Sequence, residues 1–285
     1  MKISMVNILI TLLTILTVGC SDTYEVKKPS KEGLYNSMEM LKKDGDIRVM
    51  QYNIHFGVGT DEKYDIDRIV KAIKEINADI IVLNEVDKHY SSRSNWMDMA
   101  KYIAEQLGMN YVYDSSIRNE PTSASGGRLR EVGNAVITKY DIRFVETKFF
   151  SEGDTWPRVI SKSVVTLPDG RKLNVAMTHF GLIESIRLTQ AKEAMEFLEE
   201  ESKGALLLCG DLNAIPTSAE VKYISARMKD AFIGKPTAYT FSSMTPSSRI
   251  DYIFGSDAII FRGNAATIRN TLASDHLPIF TDFTF

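Results

Sequence analysis

Cysteine is almost absent from this chain of 285 residues, which has two, Cys20 and Cys209. Cys20 closes an N-terminal apolar stretch, so in a mature chain Cys209, inside an apolar run, has no intramolecular partner. A disulfide framework is excluded, and stability has to come from a packed core. Positive charge is not in excess either: 34 Lys and Arg stand against 37 Asp and Glu, a formal net charge of −3. There is no overall basic field to draw in nucleic acid, although a local basic groove remains compatible with that total. No GxSxG elbow or P-loop is present to support a serine hydrolase or an NTPase. Short internal repeats and low-complexity tracts are also missing.

What is there suits one globular domain: 44% of residues are hydrophobic and 25% charged. Lys2 and the apolar run Ile3 to Val18 read as a signal peptide over residues 1–19, the run being too short and too poorly flanked for a comfortable spanning helix. Leu16-Thr17-Val18-Gly19-Cys20 resembles a bacterial lipobox, with Thr17 where Leu is usual. The expectation is a lipidated Cys20 that holds the protein to a membrane of the bacterial cell envelope, the alternative being cleavage nearby with no lipid. Residues 20–46 mix Lys, Glu, Ser, Pro29 and Gly33 and read as a solvated tether, with a short helical turn over Leu34 to Leu41.

From Ile47 the pattern tightens. Ile47 to Ile54 reads as a strand, Asp65 as the cap of a helix carrying Ile66, Ile69, Val70, Ile73 and Ile76, and Ile80 to Leu83 as a second strand. Ser94 to Leu107 has helical periodicity and stops at Gly108. Strands are expected at Tyr111 to Tyr113, Ala135 to Thr138, Phe144 to Phe150, Val159 to Leu167 and Leu173 to Thr178. A helix from Ser185 to Glu200, a strand from Ala205 to Cys209, a helix near Ser218 to Met228, and strands Ile250 to Phe254 and Leu277 to Phe285 complete the reading. This mixture predicts an α/β fold of two packed sheets between helical layers, one domain over 47–285.

Polar residues recur at one place in this pattern, the ends of apolar strands. Asn53 and His55 follow VMQY, Glu85 follows IIVLN, His179 follows LNVAMT, Asp211 and Asn213 follow LLLCG, Asp251 precedes YIF, and Asp275-His276 precedes LPIF. Asp211 and Asn213, two apart in an extended segment, would leave the same face and could orient a water while holding an anionic oxygen; Asp-Leu-Asn after Gly210 is equally good turn chemistry. Glu85, Asp275 and Asn53 make an oxygen-rich set that suits Mg²⁺ or Mn²⁺ better than Zn²⁺. A hard cation beside two histidines and an Asp-Asn pair describes phosphate ester hydrolysis better than acyl transfer.

The ordered series QYNIH, LNEVD, GNAVIT, THF, GDLNA, RIDYIF and SDHLPI resembles the endonuclease/exonuclease/phosphatase superfamily, over about Ile47 to Phe285. That group includes type I deoxyribonucleases, exonuclease III-like repair enzymes, inositol polyphosphate 5-phosphatases and neutral sphingomyelinases. The resemblance implies a four-layer α/β sandwich with mostly antiparallel sheets and Mg²⁺-dependent cleavage of a phosphate ester by in-line attack of water. It makes Glu85 the principal metal ligand, with Asn53 and Asp275 near the same cation. Asp211 would orient and deprotonate the water and Asn213 hold a phosphate oxygen. His276, oriented by Asp251, would sit on the phosphate, and His179 near the leaving group. Asn134 of GNA would shape the substrate site, and His55 stands where many relatives carry an acid or Gln.

Arg158, Arg187 with Gln190, Arg128 and Arg130 could fork onto phosphate or serve as structural ion-pair residues. Phe149, Phe150 and Trp156 could form an apolar lip or pack in the core. The expected partners are a phosphate-ester substrate and, through Cys20, a membrane, with nucleic acid less favoured and the protein acting as a monomer. A binding lipoprotein that has lost turnover is the reading from another class, and it has no use for a water-activating carboxylate. Specificity would lie in the loops Ser91 to Asn95, Asn119 to Arg130, Ser151 to Pro157 and Lys235 to Ser248.

Overall fold

The computed structural model describes residues 42–235, 237–267 and 272–285, all within the unit Met38–Phe285. The expected signal peptide, Cys20, the helical turn Leu34 to Leu41 and the tether up to residue 41 lie outside the described residues.

Strand β1 (Ile47–Asn53) sits at the centre of a seven-stranded sheet. It pairs in parallel with β2 (Ile80–Lys88), which continues antiparallel to β4 (Arg130–Thr138) and β3 (Asn110–Asn119). On its other side β1 pairs antiparallel with β13 (Ile279–Thr284), flanked by the short β11 (Ile260–Phe261) and β12 (Ala266–Thr267). The second sheet has six strands in the order β5 (Asp141–Phe149), β6 (Val159–Thr166), β7 (Lys172–His179), β8 (Leu206–Asp211), β10 (Asp251–Gly255) and β9 (Lys229–Asp230). Only β1 with β2 and β7 with β8 run parallel, so the sheets are mostly antiparallel, as expected.

Alternation along each strand sorts side chains into layers. Val49, Val82 and Val136 of the first sheet meet Val175, Met177, Leu207, Cys209 and Ile253 of the second in one buried cluster, the filling of the sandwich. The opposite face of the second sheet, including Ile160, Ala176, Leu208 and Phe254, is covered by α3 (Glu184–Phe197) and α4 (Ala219–Ser225). Helices α1 (Ile66–Ile76) and α2 (Met99–Leu107) pack on each other, and α2 rests on β2, β3 and β4. Helix, sheet, sheet and helix make the four layers.

The local signals worked where they were chemical. The Asp65 carboxylate accepts from the N–H groups of Asp67 and Arg68 at the start of α1, and Gly108 ends α2 in the left-handed region at φ 64°. The helix expected from Ser94 begins only at Met99, because Ser92–Ser94 form a separate 3₁₀ turn and Asp98 is the residue whose side chain caps Lys101 N–H. The strand expected to end at Leu83 runs on to Lys88 across a β-bulge between Leu83 and Val86, which becomes central to the site. Of the aromatics, Phe150 is buried edge-on to Phe180 while Phe149 is exposed. Among the described residues no helix is long and apolar enough to cross a membrane.

Candidate active site

The rows of side chains that fill the sandwich turn polar at one end. In β1 the sequence Val49, Gln51, Asn53 keeps to one face, and so do Val82 and Asn84 in β2, and Val136 and Asn134 in β4. Opposite them, Met177 is followed by His179, Cys209 by Asp211, and Ile253 is preceded by Asp251. The register places Asp251 and His179 beside Asp211 on either side. The site is therefore the open end of the core, built by replacing apolar residues at unchanged spacing.

Glu85 has the wrong parity for this row, and the bulge corrects it. The register shift after Leu83 leaves Asn84 and Glu85 unpaired with β4, and Glu85 adopts φ 57°, which turns its carboxylate to receive Asn53 Nδ2 at 3.0 Å. Asn213 reaches the site in a related way: β8 stops at Asp211, and Asn213 lies in a left-handed turn at φ 49°. The extended geometry expected for Asp211 and Asn213 is thus corrected to a turn, in which Asn213 N–H donates to Asp211 Oδ1 at 2.8 Å. The turn still brings both to the same place, since Asn213 Nδ2 approaches His179 Nε2 at 3.2 Å and donates to the Phe180 carbonyl at 3.0 Å. Non-glycine residues in this region cost energy, and their concentration at one edge marks a constrained site.

Asp211 is the centre of the hydrogen-bond pattern. Its Oδ2 accepts from Asn53 Nδ2 at 3.0 Å and lies 3.6 Å from both His179 Nε2 and His276 Nε2. His276 Nδ1 lies 2.9 Å from Asp251 Oδ2, the orienting contact expected for that pair, and Phe241 tilts against the His276 ring at a centroid distance of 5.0 Å. Ser274 Oγ staples the turn, donating to the Asn53 carbonyl and accepting from His276 N–H.

Burial, followed by the charge of Asp251, pushes the Asp211 carboxyl up to about 7, against the opposing pull of His276 and the donors Asn213 and Asn53. Burial disfavours the His276 cation, but Asp251 and Asp211 outweigh it and hold that imidazole at about 10. His179 goes the other way, well below its ordinary value, first through burial and then through the charges of Arg158 and His276. At neutral pH the site holds one cationic and one neutral histidine. The neutral form agrees with the Asn213 contact, because an amide nitrogen can only donate and Nε2 must accept.

Glu85 is held above the usual carboxylate range by burial, with the Asp275 charge adding to it; Asn53, His276 and His55 only partly offset this. Among the described residues no Lys or Arg forms an ion pair with it. An unneutralised carboxylate facing a second one is a donor set that fits a hard divalent cation. His55 joins them from a left-handed turn: its Nδ1 donates to the Val58 carbonyl at 3.0 Å and lies 3.7 Å from Asp275 Oδ1, so Nε2 is the ring nitrogen not engaged in that contact. Asn53 Oδ1 accepts from His55 N–H at 3.1 Å while its Nδ2 spans Glu85 and Asp211, so Asn53 separates the two carboxylates. Among the described residues the group of three whose ligand atoms all lie within 4.8 Å of one another is Asp211, Asp251 and His276, but there the His276–Asp251 hydrogen bond already occupies Nδ1.

Arg158 lines a narrow cleft with Glu85, Ser116, Asn134, Trp156 and His179, its charge matched by Asp154 at 3.1 Å. Arg187 is not at the phosphate side of anything: it is buried in an ion pair with Glu220 at 2.6 Å. Gln190 joins Gly181 N–H to the Glu152 carbonyl, and Arg128 and Arg130 bond the carbonyls of Ser125 and Tyr90. Of these four only Arg187 makes the ion pair expected of a structural residue, and Gln190, Arg128 and Arg130 bond main-chain groups instead. Residues that sequence reasoning passed over are Gln51, Asn84 and Asp154; the first two share the parity of Asn53 and Asn134 within apolar strands, which was the available signal.

The sequence profile described as the Endonuclease/Exonuclease/phosphatase family matches residues 50–276. No curated protein matches the chain. Among solved structures, an endonuclease/exonuclease/phosphatase from Beutenbergia cavernae is similar at TM-score 0.67 and 22% identity, over 84% of this chain and 72% of that one. The human Nocturnin catalytic domain with bound sulfate gives 0.64 and 23% over 84% and 93%, and a mannosyl-6-phosphatase from Bacteroides thetaiotaomicron 0.63 and 19% over 84% and 100%. At these identities the likeness shows the shared fold.

Proposed function

The chain belongs to the endonuclease/exonuclease/phosphatase family, whose members hydrolyse phosphate esters, and on that premise we propose an exported, Mg²⁺-dependent phosphoesterase acting on a lipid head group or another small organic phosphate. The observation that carries the reaction is the meeting of Asp211, His179, His276 and Glu85 at one polar end of the sandwich core. When bound, the divalent cation supplies Lewis-acid polarisation of the phosphate oxygen, and Glu85, Asp275 and His55 Nε2 are the groups that would hold it.

Asp211, as carboxylate, accepts the proton of the attacking water; Asn53 and Asn213 fix both of its oxygens for that task. His276, kept cationic by Asp251, presents an N–H to a phosphate oxygen. His179 is neutral in the free protein, and the negative charge of a bound phosphate opposes the charges of Arg158 and His276 that depress it. Substrate binding thereby raises its basicity beside the leaving group. The narrow cleft between His179 and Trp156 favours a small leaving group. Arg158, the arginine that lines it, is ion-paired with Asp154 and gives little of the basic groove that a long polyanion needs.

Protein lacking residues 1–20 is to be assayed with Mg²⁺ on sphingomyelin, phosphoinositides, inositol and sugar phosphates and plasmid DNA, with Asp211→Ala as control. Selective, EDTA-sensitive cleavage of a lipid or small phosphate supports the reading; nicking of plasmid alone would replace it with a nuclease.

A further inference from the structure

Asn84 does not line the cleft, yet five hydrogen bonds tie it to the site from both sheets. It is fully buried. Its Oδ1 accepts from the backbone N–H of Asp211 at 2.9 Å and from Gln51 Nε2 at 2.6 Å. Its Nδ2 donates to the Thr178 carbonyl at 2.9 Å and to Asn134 Oδ1 at 2.7 Å. Its own carbonyl accepts from Ile54 N–H at 3.1 Å, at the entry to the His55 turn.

The two main-chain partners settle the orientation of this amide without appeal to other side chains. An N–H can only donate and a carbonyl can only accept, so Oδ1 must face Asp211 and Nδ2 must face Thr178. The second Nδ2 proton then goes to Asn134, whose oxygen must be the atom that receives it. Asn134 is thereby forced to turn its own Nδ2 elsewhere. That nitrogen has no hydrogen-bond partner among the described residues, and Asn134 lines the cleft beside Glu85 and His179. We propose that Asn84 is a positioning residue: it holds the Asp211 main chain between the sheets and fixes Asn134 with a donor, not an acceptor, facing the phosphate. The inference rests on the phosphoesterase reading for the identity of the anion, and on geometry alone for the polarity of the relay.

Asn84→Asp keeps an acceptor for Asp211 and Gln51 and removes the donor to Asn134, so the Asn134 oxygen can swing into the cleft. With Mg²⁺ and a chromogenic phosphodiester, Asn84→Asp and Asn134→Ala should each lower kcat about tenfold or more, with KM within about threefold. The double variant should be no slower than Asn134→Ala alone, to about twofold, because the effect passes through Asn134. Losses that multiply, or an unchanged kcat per folded molecule with only a lower melting temperature, would overturn the proposal.

A second measurement needs neither variant nor turnover. On saturating the wild-type protein with inorganic phosphate, the side-chain amide signals of Asn134 should shift while those of Asn84 remain slow to exchange with solvent. An Asn134 amide indifferent to bound phosphate overturns the relay. Phosphate-induced shifts without turnover of any ester support the relay and count against the reaction.

Discussion

At the scale of single residues, the two raised values make opposite demands on activity. Asp211 works deprotonated, so kcat/KM of protein with little bound cation should rise through about pH 7. His276 works protonated, so activity should persist until it falls near pH 10. These limbs belong to the coupled group and not to either side chain alone. Asp251→Asn removes the main attraction on the His276 cation and should move the alkaline limb to lower pH in a pH–rate profile. Asp211→Ala should reduce turnover by about 10³-fold or more with the circular dichroism spectrum unchanged. For stability the sign is shared. Each group has a folded value above its unfolded one, so each contributes stability that is complete below the unfolded value and lost as pH rises through the folded one. The metal-free protein should therefore melt at a lower temperature at pH 9 than at pH 6.

At the scale of elements, the glycines in two of the motifs have a plain mechanical reason. A Cβ on Gly210 would lie 2.0 Å from the Thr178 carbonyl oxygen, and one on Gly133 would lie 1.9 Å from that of Asp114. Both contacts are to backbone in the neighbouring strand, so neither can yield by a rotamer change. Gly210→Ala should destabilise by roughly 2 kcal/mol or more, read as a lower midpoint in urea unfolding. The elements themselves were legible because strand-end chemistry and apolar runs are local properties: every core strand lay near its expected place. Strand-end position singled out Asn53, Glu85, His179, Asp211, Asn213 and Asp251, while Asn134 was reached only through the family resemblance. The backbone at Glu85 and Asn213 was not legible, because bulge and left-handed turn depend on neighbouring chain. Asn84 and Gln51 share the parity of Asn53, but their partners lie on other strands and in the other sheet, which the sequence of one strand does not show.

At the scale of the whole molecule, the two sheets are joined by a buried apolar filling and by hydrogen bonds, both at the site and where Thr147 and Ser161 donate to Asp114. A cation drawing Glu85 and its neighbours together should stabilise the native state by about 2.7 kcal/mol at a hundred times its dissociation constant. Thermal unfolding should show a Mg²⁺-dependent rise in melting temperature that Glu85→Gln largely removes and EDTA reverses.

The pairing of β1 with β13 sets Ile47 opposite Phe283, so the chain enters the sandwich and reaches its last residues side by side. Asn53 lies at the other end of β1, six residues and roughly 20 Å along. The candidate site is at the bow of the sandwich and the start of β1 at its stern. On the proposed anchoring at Cys20, the site would face away from the attachment point of β1, and shortening residues 20–46 should cost the protein bilayer substrates while sparing those free in solution.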